Sequence, residues 1–392
     1  MYRNSFQNHY RRNRNSPRFH RSARQKRPNI QYNTQPVTQI AAEHVQITHQ
    51  FSDFALNSKL KENIAQKGFK VPTPIQDQAI LPLLEGKDVI GIAETGSGKT
   101  AAFLIPLINK VVSDPAQKVL IIVPTRELAV QIDSDFKSLS RSLNIYSALC
   151  IGGLSMRMQV FELRKNPKFL ICTPGRLKDM VNRRFLNLNN FTNIVLDEAD
   201  RMVDIGFLPE IKYLVSLLPK QRQSLFFSAT VTPEVNSIIK SFVSDPVTVM
   251  VKSNEIPVSI KEDVIRVNNP EEKIIKLKTM LKNEEFKKVL IFGRTKHGVE
   301  RLSRKLFQDG FSVASIHGNK TQNQRLRVLM QFKNNQLQIL VATDIAARGL
   351  DIPNVSHVIN YDEPENKTDY IHRIGRTGRA QQKGFALTFV GR

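Results

Sequence analysis

Short runs of β-branched and other apolar residues alternate with stretches of helical period from about residue 50 to the C-terminus, and this alternation constrains the fold more than any other feature of the chain. Runs too short for a helix and apolar on both faces suit strands buried inside a parallel sheet, and each parallel strand needs a crossover before the next. Residues 89–93, 119–123, 169–172, 194–196 and 224–227 make a first series of expected strands. Residues 264–267, 289–292, 339–341, 355–359 and 385–389 make a second. The polar stretch between them, which runs Lys252, Ser253, Asn254, Glu255, Ile256, Pro257, reads as a linker over 252–258.

The two series share a register. Val119-Leu120-Ile121 leads to Thr125 and Val289-Leu290-Ile291 leads to Thr295, each 170 positions on, and the same offset relates 170–173 to 340–343. One offset held over about fifty residues points to a duplicated α/β domain. Two such domains on a short linker make a cleft, and clefts bind ligands. The 392 residues hold two or three domains at roughly 150 residues each. The expected boundaries are 1–48 for an N-terminal arm, 49–251 for the first domain, 252–258 for the linker and 259–392 for the second domain.

Charge then narrows the partner. Lys and Arg number 58 against 35 Asp and Glu, a formal +23, which calls for a polyanion and puts nucleic acid first. Residues 1–42 carry no acidic residue and nine basic ones, eight of them Arg, interleaved with Tyr2, Phe6, Tyr10 and Phe19. Such a stretch lacks the apolar surface to fold alone and reads as a disordered basic arm. Loose contacts with single-stranded nucleic acid suit it, and so does the role of a solubilising tail. An organelle transit peptide would need an amphipathic apolar face that the arm lacks. The chain has no apolar run of the roughly 18 residues a membrane helix needs. Its two cysteines, Cys150 and Cys172, give neither a disulfide framework nor a zinc cluster, so a reducing, cytoplasmic setting is expected.

Three motifs carry chemistry. Thr95-Gly96-Ser97-Gly98-Lys99-Thr100 follows an expected strand and opens a helical pattern, the context of a phosphate-binding loop. Its glycines let backbone N–H groups approach phosphates, Lys99 reaches the β and γ oxygens, and the Thr100 hydroxyl is suited to Mg²⁺. Ala93 stands where the strict pattern has glycine. Asp197-Glu198-Ala199-Asp200 follows the apolar strand 194–196, where doubly wound folds bind ligands. Asp197 is expected to hold Mg²⁺, and Glu198 to position and deprotonate an attacking water. Finally, His372-Arg373-Ile374-Gly375-Arg376-Thr377-Gly378-Arg379 packs three arginines and a histidine into eight residues. Arg376 and Arg379 are read as fingers that neutralise a transferring phosphoryl group, the alternative being a basic nucleic-acid-facing loop.

On these residues the chain resembles the DEAD-box ATP-dependent RNA helicases of superfamily 2, over 51–389. Phe51 lies seventeen positions before Gly68-Phe69-Lys70-Val71-Pro72-Thr73-Pro74-Ile75-Gln76, which is similar to the family's Q motif. The resemblance implies that the upstream aromatic stacks on adenine, with Phe69 in the same site, and that Gln76 reads the adenine edge. It implies RNA contacts from Pro124, Thr125, Arg126, Gly153, Thr173, Pro174 and Arg176 in the first domain. In the second it implies them from Arg294, Gly318, Gln322, Arg325 and Thr343. Ser228 and Thr230 of the Ser-Ala-Thr motif, with His372 and Arg373, match positions that couple hydrolysis to unwinding, and Asp351 matches one that contacts the ribose. The implied fold is two tandem RecA-like parallel-sheet domains behind the basic arm. The implied reaction is RNA-stimulated ATP hydrolysis with Mg²⁺, separating short RNA duplexes or remodelling RNA–protein complexes with little sequence preference, by a core that works as a monomer.

Glu94, Asn319 and Thr321 depart from the family's commoner Gln, Asp and Ser. An ATP-gated RNA clamp with slow turnover and an ATP-independent annealing chaperone acting through the arm are the rival readings. A translocating DNA helicase fits the Q motif poorly.

Overall fold

The computed structural model describes residues 47–94, 96–251, 260–347, 352, 355–378 and 383–391. The expected linker and all but the last two residues of the expected arm lie outside the described residues, as do Thr95, Asp351 and Arg379.

Among the described residues, thirteen strands form two sheets that are parallel throughout. They are β1 (Val89–Ile92), β2 (Val119–Ile122), β3 (Ser147–Cys150), β4 (Phe169–Cys172), β5 (Asn193–Leu196), β6 (Gln223–Ser228) and β7 (Val247–Met250), then β8 (Ile260–Val267), β9 (Val289–Phe292), β10 (Val313–Ile316), β11 (Ile339–Ala342), β12 (His357–Asn360) and β13 (Gly384–Gly391). The first sheet has the order β3-β4-β2-β5-β6-β1-β7 and the second β10-β11-β9-β12-β13-β8. Read in sequence order within each half, the wiring is the same, and β7 is the one addition. The 170-residue offset falls on structurally matching strands, since β2 and β9 hold the same place, as do β4 and β11.

Alternation along each central strand builds a core on both faces. Val119 and Ile121 pack with one cluster while Leu120 and Ile122 pack with the other, and Val289 and Ile291 are divided in the same way from Leu290 and Phe292. Helices cover both faces, as a parallel sheet demands. The helices after β2 and β9 start alike. Thr125 Oγ1 accepts the Leu128 N–H at 3.3 Å, and Thr295 Oγ1 accepts the Gly298 N–H at 3.0 Å, each hydroxyl satisfying a donor that the helix start leaves open.

Three strands, β3, β7 and β10, are absent from the sequence expectation, and the expected 264–267 is only the end of β8. All four lie at sheet edges. An edge strand is covered less completely, so its apolar run is broken: β7 alternates and β8 reads Ile-Lys-Glu-Asp before its apolar end. The expected 355–359 is shifted to His357–Asn360. Among the described residues, no helix is long and apolar enough to cross a membrane.

Candidate functional site

A cavity of about 420 Å³ opens beside the first sheet, and Gln76, Gly98, Lys99, Thr100, Asp197 and Glu198 are among the residues that line it. Two of its walls follow from strand ends. After β1 the chain turns through Gly96 (φ 88°) and Gly98 (φ 98°) into the helix Lys99–Ser113. Both angles are left-handed, where a side chain is strained. A Cβ on Gly98 would also stand 2.5 Å from Gln76 Nε2. The loop therefore requires glycine for its conformation and for the close approach of Gln76.

Lys99 is buried and its Nζ donates to the Ala93 carbonyl at 2.6 Å. Among the described residues Ser97 Oγ is buried without a hydrogen-bond partner, the kind of orphan that a ligand oxygen satisfies. The Gln76 amide spans the loop: Oε1 accepts the Thr73 N–H at 3.0 Å and Nε2 donates to the Gly98 carbonyl at 3.1 Å. A primary amide keeps one further hydrogen and lone pairs for a ligand edge.

Phe69 lines the cavity. Phe51 does not; it is buried and stacks on Phe69, with centroids 6.2 Å apart and planes 20° apart. Phe69 is thus the aromatic ring on the cavity wall, and Phe51, expected to stack on adenine, packs directly behind it. Asp77 anchors the incoming chain by accepting the Thr48 and His49 N–H groups at 3.1 and 2.9 Å.

The acidic wall follows β5. Burial pushes the Asp197 carboxyl up to about 7, Lys99 pulls it down, and Glu198 and Asp200 push it up further. Glu198 sits at φ 51°, ψ 49° as the N-cap of the helix Ala199–Asp204, a left-handed backbone that is strained for any residue with a Cβ. Its Oε2 accepts Arg201 Nη1 at 3.0 Å, and both side chains are nearly buried.

Asp200 faces away into the Ser-Ala-Thr turn. Its Oδ2 accepts the Ala229 N–H at 3.1 Å, the Thr230 N–H at 3.0 Å and the Thr230 hydroxyl at 3.1 Å. Ser228 Oγ accepts the Asp200 N–H at 3.3 Å and donates to the Thr230 carbonyl at 2.8 Å. Ser228 and Thr230 are thus joined to the acidic motif through one side chain.

Thr100 and Asp197 both line the cavity and could serve as oxygen ligands to a divalent cation. Among the described residues no cluster of three or more His, Cys, Asp or Glu could hold a metal. So sparse a set suits Mg²⁺, which keeps waters and takes substrate phosphates as ligands. A buried carboxylate whose charge is poorly offset suits a cation as well.

A second region lies where the two sheets' strand ends meet. Thr125 and Thr173 cap the helices after neighbouring strands β2 and β4, and Pro124 and Pro174 beside them are buried. Thr343 follows β11 in the matching place. The Arg126 guanidinium lies against the diglycine after β3, so that a Cβ on Gly153 would stand 2.2 Å from its Nη1 and one on Gly152 2.9 Å from its Nη2. Burial and then the charge of Arg325 push Arg126 below its ordinary value, with Arg176 adding to the effect. Arg176 donates to the Leu154 carbonyl at 3.2 and 3.3 Å. Arg294 is exposed, and its backbone N–H is held by Asp362 Oδ2 at 2.9 Å. Gly318 is also exposed.

Gln322 and Arg325 make a contact that the sequence does not suggest. Gln322 Nε2 donates to Glu127 Oε1 at 3.1 Å, and Arg325 Nε lies 3.0 Å from the same oxygen. Both side chains turn to the carboxylate of the first half, because a buried Glu127 requires partners. Arg373 is occupied within its own half: it forks onto Asp344 at 2.6 and 2.8 Å and donates to Asn360 Oδ1 at 3.1 Å and the Asp362 carbonyl at 2.7 Å. Arg376 is buried, with Nε donating to the His372 carbonyl at 3.3 Å, and does not line the cavity. Sequence reasoning missed Glu127 and Arg201 as site residues. Only the i,i+3 spacing of Glu198 and Arg201 hinted at a pair.

Comparison with known proteins agrees with this arrangement. Residues 73–238 match the DEAD/DEAH box helicase family and residues 272–381 the helicase conserved C-terminal domain. The chain is 43% identical over 341 residues to the ATP-dependent RNA helicase CshA of Limosilactobacillus reuteri, covering 87% of this chain and 69% of that one. It is 41% identical over 345 residues to the DEAD-box ATP-dependent RNA helicase CshA of Bacillus subtilis strain 168, covering 88% and 70%. Among solved structures it is similar to S. cerevisiae Dbp5 bound to RNA and ADP BeF3, with TM-score 0.77, 30% identity, and 87% and 89% of the two chains covered. With a phosphate loop, an acidic strand end and a Ser-Ala-Thr turn wired together in one half and a matching second half beside it, the chain belongs to the DEAD-box family of ATP-dependent RNA helicases.

Proposed function

We propose that this helicase hydrolyses ATP in the cavity of the first half and uses the cycle to separate short RNA duplexes or to remodel RNA–protein complexes. The observation that carries the reading is that Lys99, Thr100, Asp197 and Glu198 line one cavity while Asp200, three residues beyond Asp197, is bonded to Ser228 and Thr230. Phosphate binding, water activation and the coupling turn are thereby contiguous.

In this reading the loop 95–100 cradles the phosphates, with Lys99 on the β and γ oxygens. Thr100 and Asp197 hold Mg²⁺, which when bound offsets phosphate charge. Glu198 accepts a proton from the attacking water. Phe69 and Gln76 take the adenine, Phe51 supports Phe69, and Asp351 contacts the ribose. RNA runs along the strand ends, where Thr125, Arg126, Gly153, Thr173 and Arg176 face it from one half and Arg294, Gly318 and Thr343 from the other. Contacts of this kind go to sugar and phosphate, so sequence preference is low. Gln322 and Arg325 hold the halves together through Glu127, and Arg376 and Arg379 reach the phosphates as the halves close. The functional units are 49–251 and 259–392, joined by 252–258, with 1–48 as a basic arm. The core acts as a monomer in the cytoplasm; the free, buried Cys150 and Cys172 support a reducing setting.

Release of a labelled strand from short RNA duplexes of increasing length tests this. ATP-dependent release that fades with duplex length and is absent in Lys99→Ala is expected. Release without nucleotide, or release independent of length, would overturn it in favour of an annealing chaperone or a translocating helicase.

A further inference from the structure

Glu198 departs from ordinary backbone geometry, and something must hold its carboxylate. The residue stands at φ 51°, ψ 49°, at the first turn of a helix of six residues, Ala199–Asp204. So short a helix supplies little rigidity of its own. The side chain lines the nucleotide cavity beside Asp197. One contact fixes it: Arg201 Nη1 donates to Oε2 at 3.0 Å, between side chains of 7% and 10% exposure. Charge-assisted hydrogen bonds of this kind are short and strongly directional. Among the described residues no hydrogen bond is made to Glu198 Oε1, so one carboxylate oxygen is anchored and the other remains for the cavity.

Arg201 is in turn tied to the coupling turn. Its backbone N–H donates to Asp200 Oδ1 at 3.0 Å, while Asp200 Oδ2 holds Ala229 and Thr230. A continuous path therefore runs from the Ser-Ala-Thr turn through Asp200 and Arg201 to the carboxylate of Glu198. Uncoupled from Arg201, that carboxylate would be free to rotate about its own side-chain bonds.

We propose that Arg201 is a positioning residue for ATP hydrolysis: it holds Glu198 Oε2 so that Oε1 points at the attacking water, and it links that orientation to the Ser228–Thr230 turn. The inference rests on the reading of Glu198 as the group that activates water. Arg201 touches neither phosphate nor water in this account and acts only through Glu198.

The test is steady-state ATP hydrolysis by the full chain with saturating single-stranded RNA, comparing wild type with Glu198→Gln, Arg201→Gln and Arg201→Lys. Arg201→Gln is expected to lower kcat about 10- to 100-fold, the scale set by a mispositioned reacting group. The KM for ATP and the half-saturating RNA concentration should stay within about twofold of wild type. Unchanged binding of both ligands would also report an intact fold. Arg201→Lys, which keeps the charge but not the planar fork, should recover part of the lost kcat. A wild-type kcat in Arg201→Gln, with Glu198→Gln inactive, would overturn the inference alone. So would a loss in which KM rises and RNA binding weakens together with the fall in kcat, or an Arg201→Lys variant no better than Arg201→Gln. Full turnover in Glu198→Gln would remove the base assignment, and the inference with it.

Discussion

Arg325 Nε lies 3.0 Å from Glu127 Oε1, an ion pair that bridges the two sheets between side chains of 13% and 5% exposure. Among the described residues the Nε–H makes no hydrogen bond, so the approach is held by charge, and Gln322 supplies the directed hydrogen bond to the same oxygen. Glu127 follows Arg126 and Thr125 on the helix after β2, and Gln322 opens the helix Gln322–Lys333 after β10. One buried carboxylate therefore joins the strand-end rows of both halves.

Removing one partner of a nearly buried pair leaves the other charge uncompensated. Glu127→Gln and Arg325→Met should each raise the RNA concentration needed for half-maximal ATP hydrolysis. In a double-mutant cycle they should couple by about 1–3 kcal/mol, and additive effects would refute the link.

Gly153→Ala confronts the Arg126 guanidinium directly, because the glycine has φ +78° and its Cβ would stand 2.2 Å from Nη1. Left-handed strain costs about 1–3 kcal/mol of stability, and displacement of the Arg126 guanidinium should lower RNA affinity on the order of tenfold. The KM for ATP should not change, since Gly153 does not line the nucleotide cavity.

Acid stability of the second half should depend on Glu300. Hydrogen bonds from His317 and Ser315 hold its carboxyl down to about 2, with Lys320 adding to them. A depressed carboxyl contributes stability that is fully present above its ordinary value of 4.5 and is lost as pH falls toward 2. The group is more than a third exposed, so the effect is screened and modest. The melting temperature of wild type minus that of Glu300→Gln should shrink across this window. RNA half-saturation should rise in the variant, because the 317–320 loop leads into Gln322 and Arg325.

His357 titrates in the opposite chemical sense with the same pH direction. It is stacked between Phe286 at 3.9 Å and Phe385 at 4.9 Å, and burial pushes it below its ordinary 6.5 against a weaker pull from Glu285. The unfolded chain then binds the proton more readily, so stability is fully present above 6.5 and declines as pH falls from there to the folded value. His357→Phe should flatten this part of a melting-temperature profile. An equal slope in both proteins would show that another group is responsible.

The legible parts of the fold were those with a local or repeated signal. Val119-Leu120-Ile121 and Val289-Leu290-Ile291 are buried on both faces and stand at corresponding places in the two sheets, so their apolar runs and shared offset could be read directly. β3, β7 and β10 escaped because edge strands are partly solvated and lose the continuous apolar run. The site divides in the same way. Gly96 to Thr100 and Asp197 to Asp200 are contiguous strings whose chemistry follows from their order. Glu127 and Gln322 are 195 positions apart, and no spacing rule reaches so far. Phe51 was assigned to the adenine from its distance upstream of the Q motif, and that distance carries no sign of its stacking on Phe69.

RNA-coupled hydrolysis is tested most directly by the ATP hydrolysis rate of the full chain and of Glu198→Gln, each with and without single-stranded RNA at two salt concentrations. The expected result is a rate stimulated by RNA, a stimulation that weakens as salt rises because phosphate contacts release counterions, and none in Glu198→Gln. A rate indifferent to RNA, or undiminished turnover in Glu198→Gln, would contradict it.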